Sequence, residues 1–416
     1  MSRGLSRRQL LAGSGLATAG VLAAAATGTA VGSVLGPAPP AAAGTTGRST
    51  VPFFGAHQSG ILTPEQGRLV FATFDVTAAD AAGLRALLAT WSSAAAQLAV
   101  GGPLPGPAGS FDPPPDTGEA LDLSPSNLTV TLGYGPSLFD GRFGLGRRRP
   151  AALVDLPPFP GDALLADRTG GDLCLQACAD DPQVAFHAVH SLTRLALGSA
   201  TLRALQTGFG PTASEGADRS SPRNLLGFHD GTSNLVTTDG AAMDRFVWVD
   251  DPTDQAWMTG GTYLVARRIR IHLEAWNDST LEDQERTIGR IRASGAPLGA
   301  RSLEAPVDLA ALDAHGDPVI PDDAHIRVAA PATNKGAAIL RRGYSFADGV
   351  DPLTGELDAG LFFICFQKDP GSQFVPIQQR LSHTDALAQY LVHTGSGVFA
   401  CPPGIGPGGH WGTGLF

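Results

Sequence analysis

Lysine is nearly absent from this 416-residue chain. Lys335 and Lys368 are the only two, and arginine supplies the rest of the 29 basic residues. The bias is compositional and by itself carries no functional meaning. Charge of both signs is sparse, at 16% of residues, and the formal net charge is −10. An acidic surface disfavours nucleic acid and anionic membrane as partners. Cysteine is scarce too: Cys174, Cys178, Cys365 and Cys401. The spacing of Cys174 and Cys178 is wrong for a Cys-x-x-Cys redox or zinc motif. An oxidising compartment would allow disulfides. Cys174 and Cys365 sit in apolar, strand-like runs, however, so buried thiols are the expected state. The length suffices for two modest cores or one large one.

The N-terminus reads as an address. Ser6-Arg7-Arg8-Gln9-Leu10-Leu11 precedes a weakly apolar stretch rich in Ala, Gly and Thr, and a small-residue segment follows it, from Pro37 to Gly44. A basic end, an apolar middle and small residues make an export signal. The paired arginines point to the twin-arginine route. The stretch is long enough to span a bilayer, but Ala and Gly make it a poor anchor. No cysteine lies near the expected cleavage point at Ala43, which argues against a lipoprotein. Residues 1–43 are therefore expected to be a signal, and 44–50 a linker. The mature protein is expected in the periplasm, at the cell surface or outside the cell, without stable membrane insertion. Proteins that use this route cross already folded as a rule, so a cofactor inserted in the cytoplasm would travel inside its protein.

The remainder alternates strands and helices. Residues 68–76 are rich in apolar and β-branched residues and predict a strand. Residues 78–99 place Leu84, Leu87, Leu88 and Trp91 on one helical face. Further strands are predicted at 128–133 and 172–177, with a helix at 182–197. The order then recurs: a strand within 262–276, a helix beginning at 282–288, strands at 325–329 and 360–367, and a helix at 384–393. Setting Gly171 on Gly360 aligns Leu173, Leu175 and Ala177 with Phe362, Ile364 and Phe366. Period-two alternation in both copies marks buried strands. The pattern fits two β-α-β-β-α-β units, at 51–240 and 241–416.

Three segments carry chemistry. Asp230 lies in the turn Gly227-Phe228-His229-Asp230-Gly231-Thr232-Ser233-Asn234, His325 opens His325-Ile326-Arg327, and Arg341 lies in Leu340-Arg341-Arg342-Gly343-Tyr344-Ser345. A haem peroxidase needs these residue types: an imidazole to bind iron, an acid/base to move a proton of peroxide, and a fixed cation where the O–O bond polarises. A carboxylate, with a reference pKa of about 3.9, stays ionised in mildly acidic water where a histidine base would be protonated. If the Arg341 segment is a strand, Arg341 and Arg342 point to opposite faces and only one can enter a site. Two other patterns are set aside. His187 and His190, i and i+3 on a helix, lack a metal-binding context. His229-Asp230 matches the His-Asp pair of metal phosphohydrolases without the further ligands.

These motifs, with the stretches Gly171 to His187 and His393 to Pro403, resemble the dye-decolorizing peroxidase family over roughly residues 50–415. The resemblance is to its exported, twin-arginine branch, which includes the deferrochelatase/peroxidases. Where the family often has Asn-Pro-Arg after its His-Ile-Arg, this chain has Ala330-Pro331-Ala332. The resemblance implies an α+β fold of two ferredoxin-like units, of the dimeric α+β barrel type but within one chain. It implies one haem b per chain, with His325 as axial ligand and Asp385 as a candidate acceptor for its second N–H. Asp230 and Arg341 are the implied catalytic pair, with Arg341 preferred over Arg342. Gly231, Thr232 and Ser233 would pass close to haem, and Arg327 would pair with a propionate. The expected partners are hydrogen peroxide and small or dye-like reductants such as phenolics, and a homo-oligomer is left open. Two rival readings are deferrochelatase-like release of iron from haem and a non-catalytic haem carrier.

The export reading makes a direct prediction. Arg7→Lys combined with Arg8→Lys should trap folded protein in the cytoplasm, because the route reads the guanidinium pair. Fractionation of expressing cells checks it, and normal secretion of the double variant would sink it.

Overall fold

The computed structural model describes residues 49–106, 113–114, 116–210, 222–250, 253–352 and 354–416. The expected signal, 1–43, and most of the linker lie outside the described residues. No helix among the described residues is long and apolar enough to cross a membrane.

Strand β1, Arg68–Val76, shows how the chain builds its layers. Leu69 and Phe71 enter one apolar cluster, while Val70, Ala72 and Phe74 enter another. Both faces are covered, which explains the near-continuous apolar run. Helix α1, Ala81–Ala99, starts where the Asp80 carboxylate accepts the Gly83 N–H, at 2.8 Å. Strands β2, Thr129–Tyr134, and β3, Leu173–Ala179, follow. Helix α2, Pro182–Leu195, is capped by Asp181 and opened by a proline that has no N–H to lose there. Strand β4, Ala200–Phe209, completes an antiparallel sheet in the order β2-β3-β1-β4. Trp91 is fully buried between the two helices and the sheet. It packs edge-on to Phe74, and its indole donates to the Leu192 carbonyl at 2.8 Å.

The second half runs α3 (Gly240–Phe246), β5 (Thr262–Ile271), α4 (Leu273–Asn277), α5 (Leu281–Ile288), α6 (His325–Val328), β6 (Leu340–Arg341), β7 (Tyr344–Val350), β8 (Leu357–Gln367), α7 (Phe374–Thr384) and β9 (Leu391–Cys401). Its strands lie antiparallel in the order β9-β5-β8-β7, with β6 also on β8. The two half-sheets join where Tyr134 meets Ala400 and where Phe209 meets Ser345, so eight strands close into a barrel. The fold is α+β, and closure leaves the ring of strands no free edge. The barrel interior is filled by side chains such as Phe71, Leu264, Phe346, Phe362, Ile364 and Phe399. Cys174, Cys178 and Cys401 lie in the same cluster, and all four cysteines are buried and free.

Two expected elements differ. Residues 325–329 form no strand. His325–Val328 is one helical turn, in which the Arg327 and Val328 N–H groups both bond the Ala324 carbonyl. Five residues are too few for alternation to separate the two states. Residues 384–393 are not a helix either: α7 begins ten residues earlier and ends at Thr384. Asp385 is extended there and caps a short turn, and β9 begins at Leu391. Strands β4 and β7 were not predicted, and β6 was raised only as a condition on the Arg341 segment. β4 is exposed at three successive positions in its first half and has few β-branched residues, and the other two are short or polar.

Trp91 closes the first half as a single packed unit. Trp91→Ala should therefore cost about 3–5 kcal/mol, the usual range for deleting a buried aromatic side chain. Urea denaturation measures it. A midpoint matching the parent's would mean that α1 and α2 do not depend on this contact.

Candidate active site

A cavity of about 660 Å³ lies against β5 and β8 and is walled by α7, α6 and the turn from Asn224 to Leu235. Most of its surface is apolar, with Ile269, Ile271, Leu361, Phe363, Phe374 and Ile377 in the wall. The volume suits a sizeable organic cofactor.

His325 opens α6 and lines this cavity. Its Nδ1 lies 2.6 Å from Asp385 Oδ2, and about a third of its side chain is open, onto the cavity. Asp385 is itself buried, and its Oδ1 accepts the Leu387 N–H at 2.9 Å. Burial alone would disfavour the imidazolium. The Asp385 charge and hydrogen bond reverse this, so the proton affinity of the ring ends above its usual value. A carboxylate that accepts from Nδ1–H fixes the tautomer and leaves Nε2 as a basic, oriented donor for a metal.

Asp230 and Arg341 reach the cavity from separate segments and meet there, Arg341 Nη1 to Asp230 Oδ1, at 3.2 Å. The clamp that brings them together is Asn234. Its side-chain amide donates to the Arg341 carbonyl at 2.7 Å and accepts the Arg341 N–H at 2.9 Å. The turn needs Gly231: its φ of +80 is a left-handed value, and its N–H bonds the Asp230 carboxylate at 2.7 Å. Gly231, Thr232 and Ser233 all line the cavity. Arg342 takes the opposite face. It is buried against the carbonyls of Thr63 and Pro64 and the side chain of Gln66.

Arg327 does not enter. Its guanidinium caps the carbonyls of Ile320 and Pro321 at 2.7 to 3.1 Å and lies near Asp322, and it is not in the cavity wall. A different arginine lines the cavity. Arg290 is buried in the wall and donates to the Gly295 carbonyl at 2.8 Å and to Ser233 Oγ at 3.1 Å. Among the described residues no ion pair involves Arg290. Burial first, and the Arg341 charge second, lower its proton affinity. A buried cation with no anion is costly, so the position is suited to a carboxylate carried by a ligand. Sequence reading missed Arg290 and Asn234. The signals were an arginine between Ile288 and Ile291, and an asparagine closing the Asp230 turn.

The set-aside histidines are accounted for. Nδ1 of His187 and Nδ1 of His190 lie 2.8 and 2.6 Å from the two oxygens of Glu119. Hydrogen bonds from Thr117 and both histidines outweigh burial and pull the Glu119 carboxyl down to about 2. The cluster ties the 116–119 loop to α2. Among the described residues no group of three or more His, Cys, Asp or Glu side chains could hold a metal ion.

Comparison with known proteins agrees. The description "Dyp-type peroxidase, N-terminal" matches residues 58–210, and "Dyp-type peroxidase, C-terminal" matches residues 221–406. The chain belongs to the Dyp-type peroxidase family. Proteins named Deferrochelatase are similar to it. The one from Escherichia coli (strain K12) is 38% identical over 359 residues, covering 85% of this chain and 84% of that protein. The Yersinia pestis protein is 38% identical over 365 residues, covering 86% and 83%. Among solved structures, ferric DtpA from Streptomyces lividans matches with TM-score 0.82 and 42% identity over 88% of this chain and 97% of that one. The DyP-type peroxidase from Cellulomonas bogoriensis matches with 0.81 and 38%, over 89% and 98%. A variant of Rhodococcus jostii DypB, solved in complex with heme, shares the fold at TM-score 0.59 and 22% identity, over 82% and 94%.

Haem is the family's cofactor, and the residues present fit it: one oriented imidazole, an unpaired buried cation and an apolar cavity of suitable size. Asp385→Asn keeps the shape but loses the charge that orients His325, so haem affinity should fall about 10- to 100-fold. Arg290→Gln should weaken it roughly tenfold, as expected when a hydrogen bond to a charged group is lost. Titration of haem into apoprotein measures both, and unchanged affinity in both variants would overturn the roles given to these two side chains.

Proposed function

We propose that Asp230 and Arg341 are the catalytic pair of this haem peroxidase, with His325 as the axial ligand of its iron. The observation that carries the reading is the Arg341–Asp230 ion pair facing the cavity that His325 lines. When bound, haem would supply the redox-active iron at which peroxide is reduced. The chain supplies the rest. Asp230 takes the proton of one peroxide oxygen and returns it to the other, which departs as water. Arg341 places its guanidinium where negative charge builds as the O–O bond polarises. His325 would hold the metal through Nε2, made more basic by Asp385. Arg290 would pair with a propionate, and Gly231, Thr232 and Ser233 would lie beside the cofactor. Asn234 positions the pair without touching the reacting atoms. Hydrogen peroxide is the oxidant, and phenolic or dye-like molecules are the reductants.

The finer assignments belong to the same reading: one haem b per chain, and two ferredoxin-like units at 51–240 and 241–416. The orders β2-β3-β1-β4 and β9-β5-β8-β7 support the units. Export by the twin-arginine route rests on Arg7 and Arg8. A second reading has one specific support, the name of the Escherichia coli and Yersinia relatives: release of iron from haem in the same cavity. Iron still bound in porphyrin after many turnovers argues for the peroxidase. A passive haem carrier needs neither Asp230 nor Arg341.

Asp230→Ala and Arg341→Leu should both retain haem, since His325 is untouched. Their reaction with peroxide should slow by about 10² to 10⁴ for the acid/base and about 10² to 10³ for the cation. Stopped-flow spectra of the haem band after mixing with peroxide give both rates. If both variants react as fast as the parent, the pair has been wrongly assigned.

A further inference from the structure

Both lysines of the chain, Lys335 and Lys368, line one surface groove of about 620 Å³, together with Arg245 and Arg380. Lys368 is held by Asp250 at 2.6 Å. No ion pair occupies Arg245, Lys335 or Arg380 among the described residues. Four cations and one carboxylate, Asp369, therefore line one concavity, which stays net positive on a protein whose net charge is −10 even with Lys368 paired to Asp250.

The groove is built rather than incidental. Beneath it, the buried Asn334 donates to the carbonyls of Val328 and Ala330, both at 2.8 Å. The buried Gln373 donates to the carbonyls of Phe246 and Ala338, at 2.9 and 2.6 Å. Lys335 itself is left-handed, at φ +55, beside Gly336 at φ +83. That conformation costs a side-chain-bearing residue about 1–2 kcal/mol relative to its right-handed form, and such strain tends to persist at functional positions. The Arg245 guanidinium lies over the Phe246 ring, 4.8 Å from its centre.

The groove also adjoins the haem cavity. Ala337 lines both. Helix α7 turns Phe374, Ile377 and Leu381 to the cavity, and Pro376 and Arg380, with the preceding Gln373, to the groove. The separation is the thickness of one helix, about 10 Å.

We propose that this groove binds the reductant, and that the reductant it selects is a small anionic aromatic molecule, a phenol bearing a carboxylate or sulfonate. The proposal rests on the peroxidase reading and adds to it a place and a charge. Each bound phenol gives up one electron and its phenolic proton and leaves as a radical. Two such donors, with one hydrogen peroxide, yield two waters. The volume suits a small molecule, and a positive concavity on a negative protein concentrates anions.

A matched pair of donors tests it: hydroquinone sulfonate, which is anionic, and unsubstituted hydroquinone. The haem-loaded enzyme and its Lys335→Glu/Arg380→Glu variant are assayed with each, using peroxide. The expected result is a KM for the sulfonate about tenfold higher in the variant, a change of the size charge steering allows. The KM for hydroquinone and the rate of reaction with peroxide should not change. Raising the salt concentration should weaken the sulfonate's advantage in the parent and not in the variant. Equilibrium titration with the sulfonate, which needs no turnover, should show binding to the parent and its loss in the variant. Equal KM values for the sulfonate in both proteins, or equal losses for both donors, would overturn the proposal. An enzyme that bound the sulfonate but oxidised neither donor would preserve the groove and defeat the peroxidase reading instead.

Discussion

The hydrogen bond between Asp385 and His325 is the constraint on which the site depends. One oxygen of Asp385 accepts from the imidazole, and the other starts the turn that follows α7. The same turn is tied to the loop ahead of α6, because the Ala386 N–H bonds the Asp323 carbonyl. Capping the turn and orienting the ring are therefore one event. A helix running on through residue 385 would withdraw the carboxylate, and the imidazole would keep neither its tautomer nor its direction. The family resemblance offered Asp385 as the partner of His325 and nothing more. It fills both a capping role and the histidine role, because a carboxylate has two oxygens.

A second constraint is register. β5 and β8 divide two environments: Arg268 and Phe362 face the barrel, while Ile269 and Leu361 face the cavity. Arg341 and Arg342 show what this means for chemistry. One meets Asp230, and the other is buried against Gln66. A slip of one residue would exchange them. Asn234 guards against that slip, because it reads both the N–H and the C=O of Arg341. Asn234, which holds the register, and Asp230, the proposed acid/base, are thus different residues of the same turn.

Much of this was legible in the sequence, for identifiable reasons. β1, α1, β3 and α2 are long and strongly patterned, and their bounds fell within a few residues of those observed. Asp230, His325 and Arg341 were legible through their flanking motifs and do converge on one cavity. What was not legible depended on distant partners. Arg327 follows His325 so closely that a shared ligand was a natural expectation, yet the nearby carbonyls of Ile320 and Pro321 satisfy its guanidinium locally. Arg290 has no motif. Only the fold shows it buried without a carboxylate. The turn at 325–328 was mistaken for a strand because four residues carry no periodicity.

Charge balance links these parts. Arg290 and Arg341 lie close enough that one depresses the proton affinity of the other, and Asp230 is the carboxylate that meets Arg341. Without its cofactor the Arg290 cation is therefore left in an apolar wall with no anion of its own, which burial makes expensive. A porphyrin bearing two propionates offers it a carboxylate as it fills the apolar space. Its binding is thereby coupled to the stability of the fold, since a ligand that binds only the folded state stabilises it by mass action. The coupling also gives the proposed export route a physical sense. The fold that would be ready to cross the membrane is the one that has already taken up its haem, and the cation that cannot find an anion within the chain is what makes the empty form the less stable one.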